Sequence, residues 1–499
     1  MIIDNILKEF SQLKLLKGNT NNPINYIWAD SRKIQKNDIF VMSDEFTDIN
    51  FLTSSIENGS STCLISKTSE FLSIAKEKFE NVISSDSSSN QMQGYIASFI
   101  LDHPSKKLEV IAITGTNGKT SLTHILYHFA RSLGIPSGLI GTIHTKYNDV
   151  IIETGYTTPE ASSLQLQLRD MLKEGIQFVF LEASSHGLKL GRTNGLQFRA
   201  ALFTNITKDH LDFHETMDDY LKSKFRIFTL LEESTKEYKF GIINLDAEGG
   251  LAMKKLILEH SLQSKINFLG KTCNYEIDKP RLSINGSEFI FKIKKPESTF
   301  HRNLRVRSNL LGGFNIQNVA LAISCWVELN IATERITTFT ESIPRIPGRF
   351  DIYYSPDKDR IAIVDYAHTP DALLNILQSA KELNPKRLIC LFGCGGDRDR
   401  TKRPEMAAIS ERMSDLVILT SDNPRTEDPE LILNDIEKGF QDKSKIIREI
   451  DRKNAIQIAI DNLQEGDILA VCGKGHENYQ IIGKEKFHFD DGEEIEKAW

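Results

Sequence analysis

The sequence predicts an α/β protein of three domains, with a doubly wound, mostly parallel central sheet and a Rossmann-like C-terminal domain. Short apolar runs rich in β-forming residues alternate with segments of helical composition from about residue 108 onward. Such alternation is typical of parallel strands joined by crossover helices. The length of 499 residues also favours several domains, because one hydrophobic core rarely serves so long a chain.

The first domain is predicted over residues 1–88. It opens with MIIDNILKEF, whose spaced apolar residues predict an amphipathic helix. The acidic residues of this stretch, and its lack of a basic n-region, are unlike a secretory signal peptide. The serine-rich stretch SSDSSSN, residues 84–90, has the composition of a flexible connection and marks the end of the domain.

The central domain is predicted over residues 89–339 and the third domain over residues 340–499. Strand-like runs mark the central sheet: LEVIAIT, FVFLEAS, AALFTNI and FGIINLD. Others mark the third domain: RIAIVDYAH, RLICLFGCGG, LVILTSD and DILAVCGKG. Each run of the third domain leads into a polar or glycine-rich turn. We expect a ligand at these turns, because open α/β sheets bind ligands at the carboxyl ends of their strands.

Composition narrows the functional classes. A net charge of −7 gives no general nucleic-acid footprint, so no nucleic-acid partner is predicted. The chain has no run of about 18 apolar residues, which predicts a cytoplasmic protein that does not insert into a membrane. The six cysteines are scattered, and several lie in apolar runs. They are predicted to be reduced core residues rather than redox or metal-binding groups.

The segment GTNGKTS, Gly115–Ser121, is the clearest local signal. It stands between the run LEVIAIT and a helical pattern that Gly134 can end. A strand, a glycine turn and a helix N-terminus form an anion cradle, in which Lys119 adds charge and Thr120 can ligate Mg²⁺. Ile113 stands where the longer form of this motif has glycine, so the match is to the shorter G-x-x-G-K-T. The pattern favours nucleotide binding over a purely structural strand-to-helix turn.

Further polar signals follow predicted strands of the central domain. They are Glu182 at the end of FVFLE, the group Asp209, His210, Asp212 and His214 after AALFTNI, and Lys224. Carboxylate and imidazole groups could complete the coordination of Mg²⁺, with water and phosphate as the other ligands. Each histidine taken alone could instead hydrogen-bond a loop. The presence of the phosphate loop favours the metal site.

Taken together and in this order, the motifs resemble those of the Mur ligase family, the ATP-dependent amino-acid ligases of peptidoglycan precursor synthesis. The matching segments are GTNGKTS, EASSHGL, FTNITKDHLDFH, GGFNIQNVALAI, IPGRFD, DYAHTPDAL, FGCGGDRDRTKRP, SDNPR and GKGHENYQ. The resemblance implies a UDP-substrate domain, an ATP-binding domain and an amino-acid-binding domain. Within the family, it points to addition of meso-2,6-diaminopimelate to UDP-N-acetylmuramoyl-L-alanyl-D-glutamate by a monomeric enzyme that acts on small molecules.

The resemblance also implies roles for individual residues. The catalytic positions match Lys119, Glu182, His210 and Lys224. The Mg²⁺ ligands match Thr120, Glu182, His210 and Lys224, the last as a carbamate formed with CO₂. The ATP positions match Gly115, Thr116, Asn117, Gly118, Lys119, Thr120, Ser121, Asn315, Asn318, Arg349, Asp365 and His368. The UDP-muramyl positions match Ser31, Thr157, Thr158, Ser184 and Arg192. Without the resemblance, Asn315 and Asn318 would pass for helix-start caps, and Lys224 for a surface lysine.

The amino-acid positions of the family match Arg398, Asp422, Asn423, Pro424, Arg425, Gly473 and Glu477. meso-Diaminopimelate differs from L-lysine by a second carboxylate on its distal carbon, so a selective pocket needs a fixed cation there, for which Arg425 is suited. From the residues alone, Arg425 could instead pair with Glu427 or Asp428 in a surface turn. The functional alternatives are a lysine-adding ligase, a folylpolyglutamate-type ligase and a nucleotide-dependent switch that joins nothing.

Overall fold

The structure is a computed structural model that describes residues 1–44, 48–153, 155–294, 301–331 and 333–499. Residue contacts group the chain into two units. The first consists of Met1–Ile206 with His210–Phe268, and the second of Thr207–Asp209 with Leu269–Trp499. Both units consist of β-sheets and helices, which confirms the predicted α/β class. The boundaries of the three domains stay a prediction.

The N-terminal sheet of the first unit is mostly parallel. Its strands are β1 (Leu13–Lys17), β2 (Ile27–Trp28), β3 (Ile39–Val41), β4 (Thr62–Ser66) and β5 (Asn81–Ser85), in the spatial order β1-β5-β4-β3-β2. The accompanying helices are α1 (Ile3–Glu9), α2 (Ile49–Glu57), α3 (Leu72–Lys78) and α4 (Ser89–Ile100). Among the described strands of this sheet, β1 pairs with β5 in the antiparallel direction and the other pairs are parallel. The predicted N-terminal helix is confirmed as α1, which buries Ile3 and Ile6.

The serine-rich stretch that predicts a flexible connection is part of this core instead. Residues 84–85 end β5, and Ser89 begins α4. The Ser89 hydroxyl donates a hydrogen bond to the Met42 carbonyl oxygen. Met92 and Ile96 of the same helix are buried in the core of the N-terminal sheet. The prediction of a linker is wrong, because these hydroxyls have hydrogen-bond partners and the helix that follows them has a buried apolar face.

The central sheet contains strands of both directions. Its strands in the first unit are β6 (Glu109–Thr114), β7 (Ser137–Ile140), β8 (His144–Tyr147), β9 (Val150–Glu153), β10 (Phe178–Glu182), β11 (Phe198–Phe203), β12 (Phe240–Asn244) and β13 (Lys265–Leu269). They lie in the order β13-β12-β11-β6-β10-β7-β8-β9. The helices are α5 (Pro104–Lys107), α6 (Lys119–Ser132), α7 (Ala161–Lys173), α8 (Ser185–Lys189), α9 (Met217–Glu233) and α10 (Gly250–Glu259). The predicted central strands are confirmed as β6, β10, β11 and β12.

Strand β6 lies between β10 and β11, and all three are parallel. Glu182, at the end of β10, lies beside Ile113 of β6, and Phe203, at the end of β11, lies beside Thr114. The carboxyl ends of the three strands therefore meet at one edge of the sheet. The turns that follow them carry the predicted phosphate loop, Glu182 and the histidine-containing segment.

The second unit begins with an antiparallel meander and continues with a mostly parallel sheet. The meander is β14 (Tyr275–Ser283), β15 (Gly286–Lys294) and β16 (His301–Ser308), followed by α11 (Gly313–Glu328) and α12 (Thr333–Phe339). The parallel sheet contains β17 (Asp351–Tyr354), β18 (Ile361–Asp365), β19 (Leu388–Phe392), β20 (Leu416–Leu419), β21 (Ile446–Arg448) and β22 (Ile468–Cys472). Their order is β17-β18-β22-β19-β20-β21, with β17 antiparallel to its neighbour. The predicted strands of the third domain are confirmed as β18, β19, β20 and β22.

Helices connect the strands of this parallel sheet, and a hairpin follows it. The connecting helices are α13 (Pro370–Lys381), α14 (Lys402–Met413), α15 (Pro429–Glu437) and α16 (Arg452–Asn462). The hairpin is β23 (Tyr479–Ile482) with β24 (Glu485–His488), and α17 (Asp491–Ala498) follows it. Alternate residues of the buried strands belong to different hydrophobic clusters. Cys390 and Phe392 lie in one cluster and Ile389 and Leu391 in the other. Both faces of the sheet are thus covered, as in a doubly wound fold.

All six cysteines are described, and none forms a disulfide. The prediction of core cysteines holds for the five that are buried, but Cys273 is only partly buried. Its amide donates to the Gly270 carbonyl oxygen in the turn before β14, so the apolar surroundings of a strand interior are missing there. Among the described residues, no helix combines the length and the apolar character needed to cross a membrane.

Candidate active site

The predicted phosphate loop joins the end of β6 to the start of α6. Gly115 has a φ of 155° and Gly118 a φ of 85°, and both values favour glycine. A β-carbon on Gly115 would lie 1.8 Å from Oγ1 of Thr204, so a larger residue does not fit. The Lys119 amine donates to the carbonyl oxygens of Gly115 (2.8 Å) and Thr116 (2.9 Å). This amine and the N-terminus of α6 give the loop the positive character that phosphate binding needs.

Glu182 and Thr120 are in direct contact beside this loop. The Glu182 side chain is fully buried, and Thr120 Oγ1 donates to its Oε2 at 2.9 Å. The Thr142 amide and hydroxyl donate to the same carboxylate, each at 3.0 Å. A β-carbon on Gly141 would lie 2.1 Å from Glu182 Oε1, so the carboxylate fills the space that this glycine leaves. A buried carboxylate whose hydrogen-bond donors are neutral is a suitable ligand for a cation.

Lys224 is not the surface lysine that its sequence position allows. It is 1% exposed, and its amine donates to the Gly115 carbonyl oxygen at 2.7 Å. The amine also lies 4.3 Å from the centre of the Tyr220 ring, one turn earlier on α9. The Tyr220 hydroxyl is 3.0 Å from Oγ1 of Thr116. Helix α9 thereby fixes Lys224 against the phosphate loop.

The two histidines of the segment after β11 have different surroundings. His210 is exposed and has a φ of 52°, with its ring centre 6.2 Å from that of Tyr220. His214 is buried, and its ring nitrogens lie 3.2 Å from Asp219 Oδ2 and 2.9 Å from Ser185 Oγ. For His214, the structural alternative is therefore correct, because both ring nitrogens have partners. His210 keeps an accessible ring near the phosphate loop.

The predicted Mg²⁺ ligands are only partly connected by these contacts. Thr120 binds Glu182, while Lys224 and His210 both lie against Tyr220. Within the described ranges, no three side chains of the types His, Cys, Asp or Glu lie close enough to hold a metal ion. The predicted set contains only two residues of these types, so its other oxygen ligands would be the Thr120 hydroxyl and a carbamate on Lys224.

Most of the predicted muramyl-substrate residues lie together next to Glu182. Thr158 Oγ1 donates to the Glu182 carbonyl oxygen at 2.8 Å and lies 3.1 Å from Ser184 Oγ. The Arg192 guanidinium donates to the Thr158 carbonyl oxygen at 3.0 Å. Thr157 precedes Thr158 in sequence, and its hydroxyl lies 3.0 Å from the hydroxyl of Thr142, which binds Glu182. Three chain segments thus converge on one polar surface of the first unit.

Ser31 is held in a different part of the first unit. It begins the short 3₁₀ turn Ser31–Lys33 after β2 and is buried. Its carbonyl oxygen accepts from the Asn58 side chain at 3.0 Å. The Lys33 amine of the same turn donates to Ser163 near the start of α7, at 3.0 Å. The turn therefore faces helix α7, but the described hydrogen bonds do not join Ser31 to the other muramyl-substrate residues.

The predicted ATP residues of the second unit form two small groups. Asn315 and Asn318 lie inside α11, where the Asn318 side-chain amide donates to Asn315 Oδ1 at 3.2 Å. They are therefore not helix-start caps. In the other group, the Asp365 carboxylate accepts from the amide of Phe350, next to Arg349, at 2.8 Å. The Arg349 guanidinium lies over the Tyr366 ring, and His368 Nδ1 is 2.8 Å from the Tyr366 carbonyl oxygen.

The turn after β20 meets the turn after β22. Asn423 donates from its side-chain amide to Glu477 Oε2 at 2.8 Å, and its Oδ1 accepts from the Ile481 amide at 2.8 Å. A β-carbon on Gly473, whose φ is 117°, would lie 2.5 Å from Asp422 Oδ2. Burial, followed by the charge of Asp422, raises the pKa of the Glu477 carboxyl. A carboxyl group whose ionisation is disfavoured by a neighbouring carboxylate is well placed to receive an ammonium group.

Arg425 presents its guanidinium from the same turn. Its backbone has a φ of 52° and pairs with the hairpin, through the Ile481 carbonyl oxygen (3.1 Å) and the Gly483 amide (2.7 Å). One terminal nitrogen donates to the Gly396 carbonyl oxygen at 2.9 Å. Within the described part of the chain, no carboxylate lies at ion-pair distance from this guanidinium. The alternative of a surface pair with Glu427 or Asp428 is therefore wrong.

Pro424 and Arg398 flank this arrangement differently. Pro424 is buried in the turn, and its carbonyl oxygen would be 1.9 Å from a β-carbon on Gly396. Arg398 is exposed, and its guanidinium donates to the Asp397 carbonyl oxygen at 3.1 Å. Among the described residues, all the predicted amino-acid-binding residues except Arg398 thus belong to the turns after β20 and β22.

Two family models match the chain: the Mur ligase middle domain over residues 113–326, and the Mur ligase glutamate ligase domain over residues 348–475. A protein of Leptospira borgpetersenii is 47% identical over 100% of this chain and 99% of its own length. It is named UDP-N-acetylmuramoyl-L-alanyl-D-glutamate–2,6-diaminopimelate ligase. The chain belongs to the Mur ligase family. A Fusobacterium nucleatum protein of the same name is 40% identical over 97% of this Mur ligase and 95% of its own length.

Several solved structures are similar to this Mur ligase. A structure of a UDP-N-acetylmuramoyl-L-alanyl-D-glutamate–2,6-diaminopimelate ligase has a TM-score of 0.69 and 32% identity, over 100% of this chain and 98% of its own. MurF of Acinetobacter baumannii has a TM-score of 0.61 at 15% identity, over 95% of both chains. Folylpolyglutamate synthase of Mycobacterium tuberculosis has a TM-score of 0.62 at 15% identity, over 77% of this chain and 92% of its own. The last two show a shared fold only.

Several residues at these sites have no role predicted from the sequence. Thr142 holds Glu182, Tyr220 supports Lys224, and Arg403 is buried next to the turn of Arg425. Tyr220 could have been found, because it precedes Lys224 by one helical turn and so shares its face. Thr142 carries no comparable signal, because its partner is distant in sequence. Arg403 lies in the segment FGCGGDRDRTKRP, but the sequence does not show that it pairs with Glu427.

Proposed function

We propose that this Mur ligase joins meso-2,6-diaminopimelate to UDP-N-acetylmuramoyl-L-alanyl-D-glutamate, with cleavage of ATP to ADP and phosphate, in peptidoglycan precursor synthesis. The 47% identical relative carries the name of this reaction. The single structural observation that carries the proposal is Arg425, a half-buried guanidinium without a carboxylate partner among the described residues, beside the acidic pair Asp422 and Glu477. A fixed cation next to two carboxylates matches the distal amino-acid group of diaminopimelate.

The reaction needs two anions to be brought together. The γ-phosphate of ATP moves to the D-glutamate side-chain carboxylate, and the amine of diaminopimelate attacks the acyl phosphate, so that an amide forms and phosphate leaves. Lys119 and the N-terminus of α6 neutralise phosphate charge in this scheme. In this scheme, the muramyl substrate lies next to the end of β10, where it is positioned by Thr157, Thr158, Ser184 and Arg192.

Mg²⁺ is the metal that the donor set fits. Glu182 offers a buried carboxylate and Thr120 a hydroxyl at the same point, and both are hard oxygen ligands. When bound, Mg²⁺ would neutralise charge on the phosphates of ATP. His210 is the proposed imidazole ligand, and carbamylation of Lys224, in which the amine adds CO₂ and loses a proton, would supply an anionic oxygen. The supporting observation is that Lys224 is buried against the phosphate loop, where a carbamate would face the same phosphates.

The remaining assignments are part of the same proposal. The ATP-binding residues that we propose are Gly115–Ser121, Asn315, Asn318, Arg349, Asp365 and His368. Ser31 would contribute to the UDP end of the muramyl substrate. The proposed domains are residues 1–88 for that substrate, residues 89–339 for ATP and residues 340–499 for the amino acid. We further propose that the enzyme acts in the cytoplasm as a monomer.

The lysine-adding version of the ligase differs only at the amino-acid site. L-Lysine lacks the distal carboxylate, so it would leave the Arg425 guanidinium without its anionic partner. A folylpolyglutamate-type ligase shares the fold, but the two named relatives above carry the diaminopimelate name over nearly the whole chain. A nucleotide-dependent switch would hydrolyse ATP without either co-substrate.

A coupled ADP-release assay tests these possibilities together. The purified chain is given ATP and Mg²⁺, with or without UDP-N-acetylmuramoyl-L-alanyl-D-glutamate, and with a panel of amino acids that includes meso-diaminopimelate, L-lysine and L-glutamate. We expect ADP release only when the muramyl dipeptide and meso-diaminopimelate are both present. Equal turnover without the dipeptide would favour the switch, and turnover with L-lysine or L-glutamate would favour the corresponding ligase.

A further inference from the structure

A fully buried arginine lies against the turn that carries Arg425. Arg403, near the start of α14, has no exposed surface. Both of its terminal nitrogens bind the Glu427 carboxylate, at 3.0 to 3.1 Å, and one of them also binds Asp435 at 3.0 Å. Its guanidinium additionally donates to the Gly395 carbonyl oxygen at 3.3 Å. Because it is buried in this way, Arg403 is not itself a substrate contact.

Glu427 is the carboxylate that would otherwise compete for Arg425. It stands two residues after Arg425 and is 11% exposed at its side chain. Arg400 adds a second ion pair to it at 2.8 Å. Hydrogen bonds from Arg403 lower the pKa of the Glu427 carboxyl, so it remains a carboxylate at neutral pH. The other candidate, Asp428, caps α15 by accepting from the Glu430 amide at 2.9 Å.

The contacts of Glu427 also join the two loops that surround the Arg425 guanidinium. Glu427 Oε1 accepts from the Asp397 amide at 2.5 Å, and the Asp397 carboxylate accepts from the Thr426 amide at 3.2 Å. The Asp397 carboxylate, which is the other acid next to this turn, also accepts from the Thr426 hydroxyl at 2.9 Å. Both neighbouring acids thus make their hydrogen bonds with groups other than Arg425. The Thr426 hydrogen bonds lower the pKa of the Asp397 carboxyl, and the nearby charge of Arg425 lowers it further. The Arg425 guanidinium instead binds a neutral carbonyl oxygen, that of Gly396.

We propose that Arg403 is a positioning residue for the amino-acid site: by holding Glu427, it keeps the Arg425 guanidinium available to the distal carboxylate of diaminopimelate. The inference rests on the proposed function. Without the Arg403 guanidinium, Glu427 would keep its charge and could turn to Arg425, and substrate would then have to displace an internal anion. The loss is an electrostatic competition, so neutralising Glu427 should cancel it.

The test measures steady-state KM and kcat for each of the three substrates in four proteins: wild type, Arg403→Met, Glu427→Gln and the double variant. In Arg403→Met, we expect KM for meso-diaminopimelate to rise roughly ten- to hundredfold, the scale of a charge-assisted hydrogen bond. KM for ATP and for the muramyl dipeptide should change less than about twofold. In the double variant, KM for meso-diaminopimelate should return to within about threefold of wild type, because Glu427→Gln removes the competing charge and keeps an acceptor for the Asp397 amide.

A purely structural role for the ion pair predicts a different pattern. Glu427→Gln alone would then raise KM for diaminopimelate as much as Arg403→Met, and the double variant would not recover. Either result overturns the inference, as does an unchanged KM in folded Arg403→Met. Should Arg403→Met not yield folded protein, folded Glu427→Gln still decides, since a tenfold rise in its KM contradicts the inference and a wild-type KM supports it. Arg425→Ala separates the two proposals, because a wild-type KM in that variant removes the diaminopimelate site itself.

Discussion

Replacement of Arg425 by alanine probes the amino-acid selectivity directly. One terminal nitrogen of its guanidinium is engaged by the Gly396 carbonyl oxygen, which leaves the rest of the group for a substrate carboxylate. A fully buried arginine that lost its partner would cost about 3 to 5 kcal/mol. Arg425 is only half-buried, so water can replace part of the interaction, and a charge-assisted hydrogen bond of about 1.5 to 3 kcal/mol is the better scale. This corresponds to roughly a ten- to 150-fold loss in kcat/KM.

The assay compares kcat/KM for meso-diaminopimelate and L-lysine in wild type, Arg425→Ala and Arg425→Lys. Wild type should prefer diaminopimelate by at least about the factor lost in Arg425→Ala. The alanine variant should lose activity with diaminopimelate but change little with L-lysine, which has no distal carboxylate. Arg425→Lys should fall between them, because it keeps a point charge without the planar fork. Equal wild-type kcat/KM for the two amino acids would refute the reasoning.

The other predictions concern the phosphate loop, the proposed carbamate and a buried acid. Lys119→Ala should lower ADP formation about 10²- to 10³-fold with an unchanged circular dichroism spectrum, and near-normal turnover would remove the loop from catalysis. Lys224→Ala should be inactive and regain part of its activity with a small carboxylate such as acetate, whereas an active variant without additive would contradict the carbamate. Burial raises the pKa of Asp351 to about 6. The folded protein therefore favours the protonated carboxyl, and its free energy of unfolding falls as the pH rises through about 6. Asp351→Asn should therefore unfold at a higher temperature than wild type at pH 8, by at most about 3 kcal/mol in stability, and by less at pH 5. An equal difference at both pH values would argue against that titration.

Local patterns were reliable where one chemical requirement dominated a short stretch. Strand β6, the glycine loop and α6 follow from apolar runs, two glycines with φ values of 155° and 85°, and a helical face that ends at a third glycine. The strands of the parallel sheet in the second unit follow from the same logic, because both faces are buried and the runs are continuously apolar. The serine-rich stretch is a contrasting case, because its composition does not show that its hydroxyls have partners in the N-terminal core.

The α/β class, the positions of the principal strands and the motif residues of this Mur ligase can be predicted from the chain, because they depend on periodicity and local backbone geometry. Which charges meet is seen only in the folded protein. The packing places Lys224 against the Gly115 carbonyl oxygen, 109 positions away in sequence. Glu427 likewise forms its ion pair with Arg403 rather than with Arg425. The physical reason is that ion pairs between distant segments depend on how strands and loops pack, which no short pattern encodes.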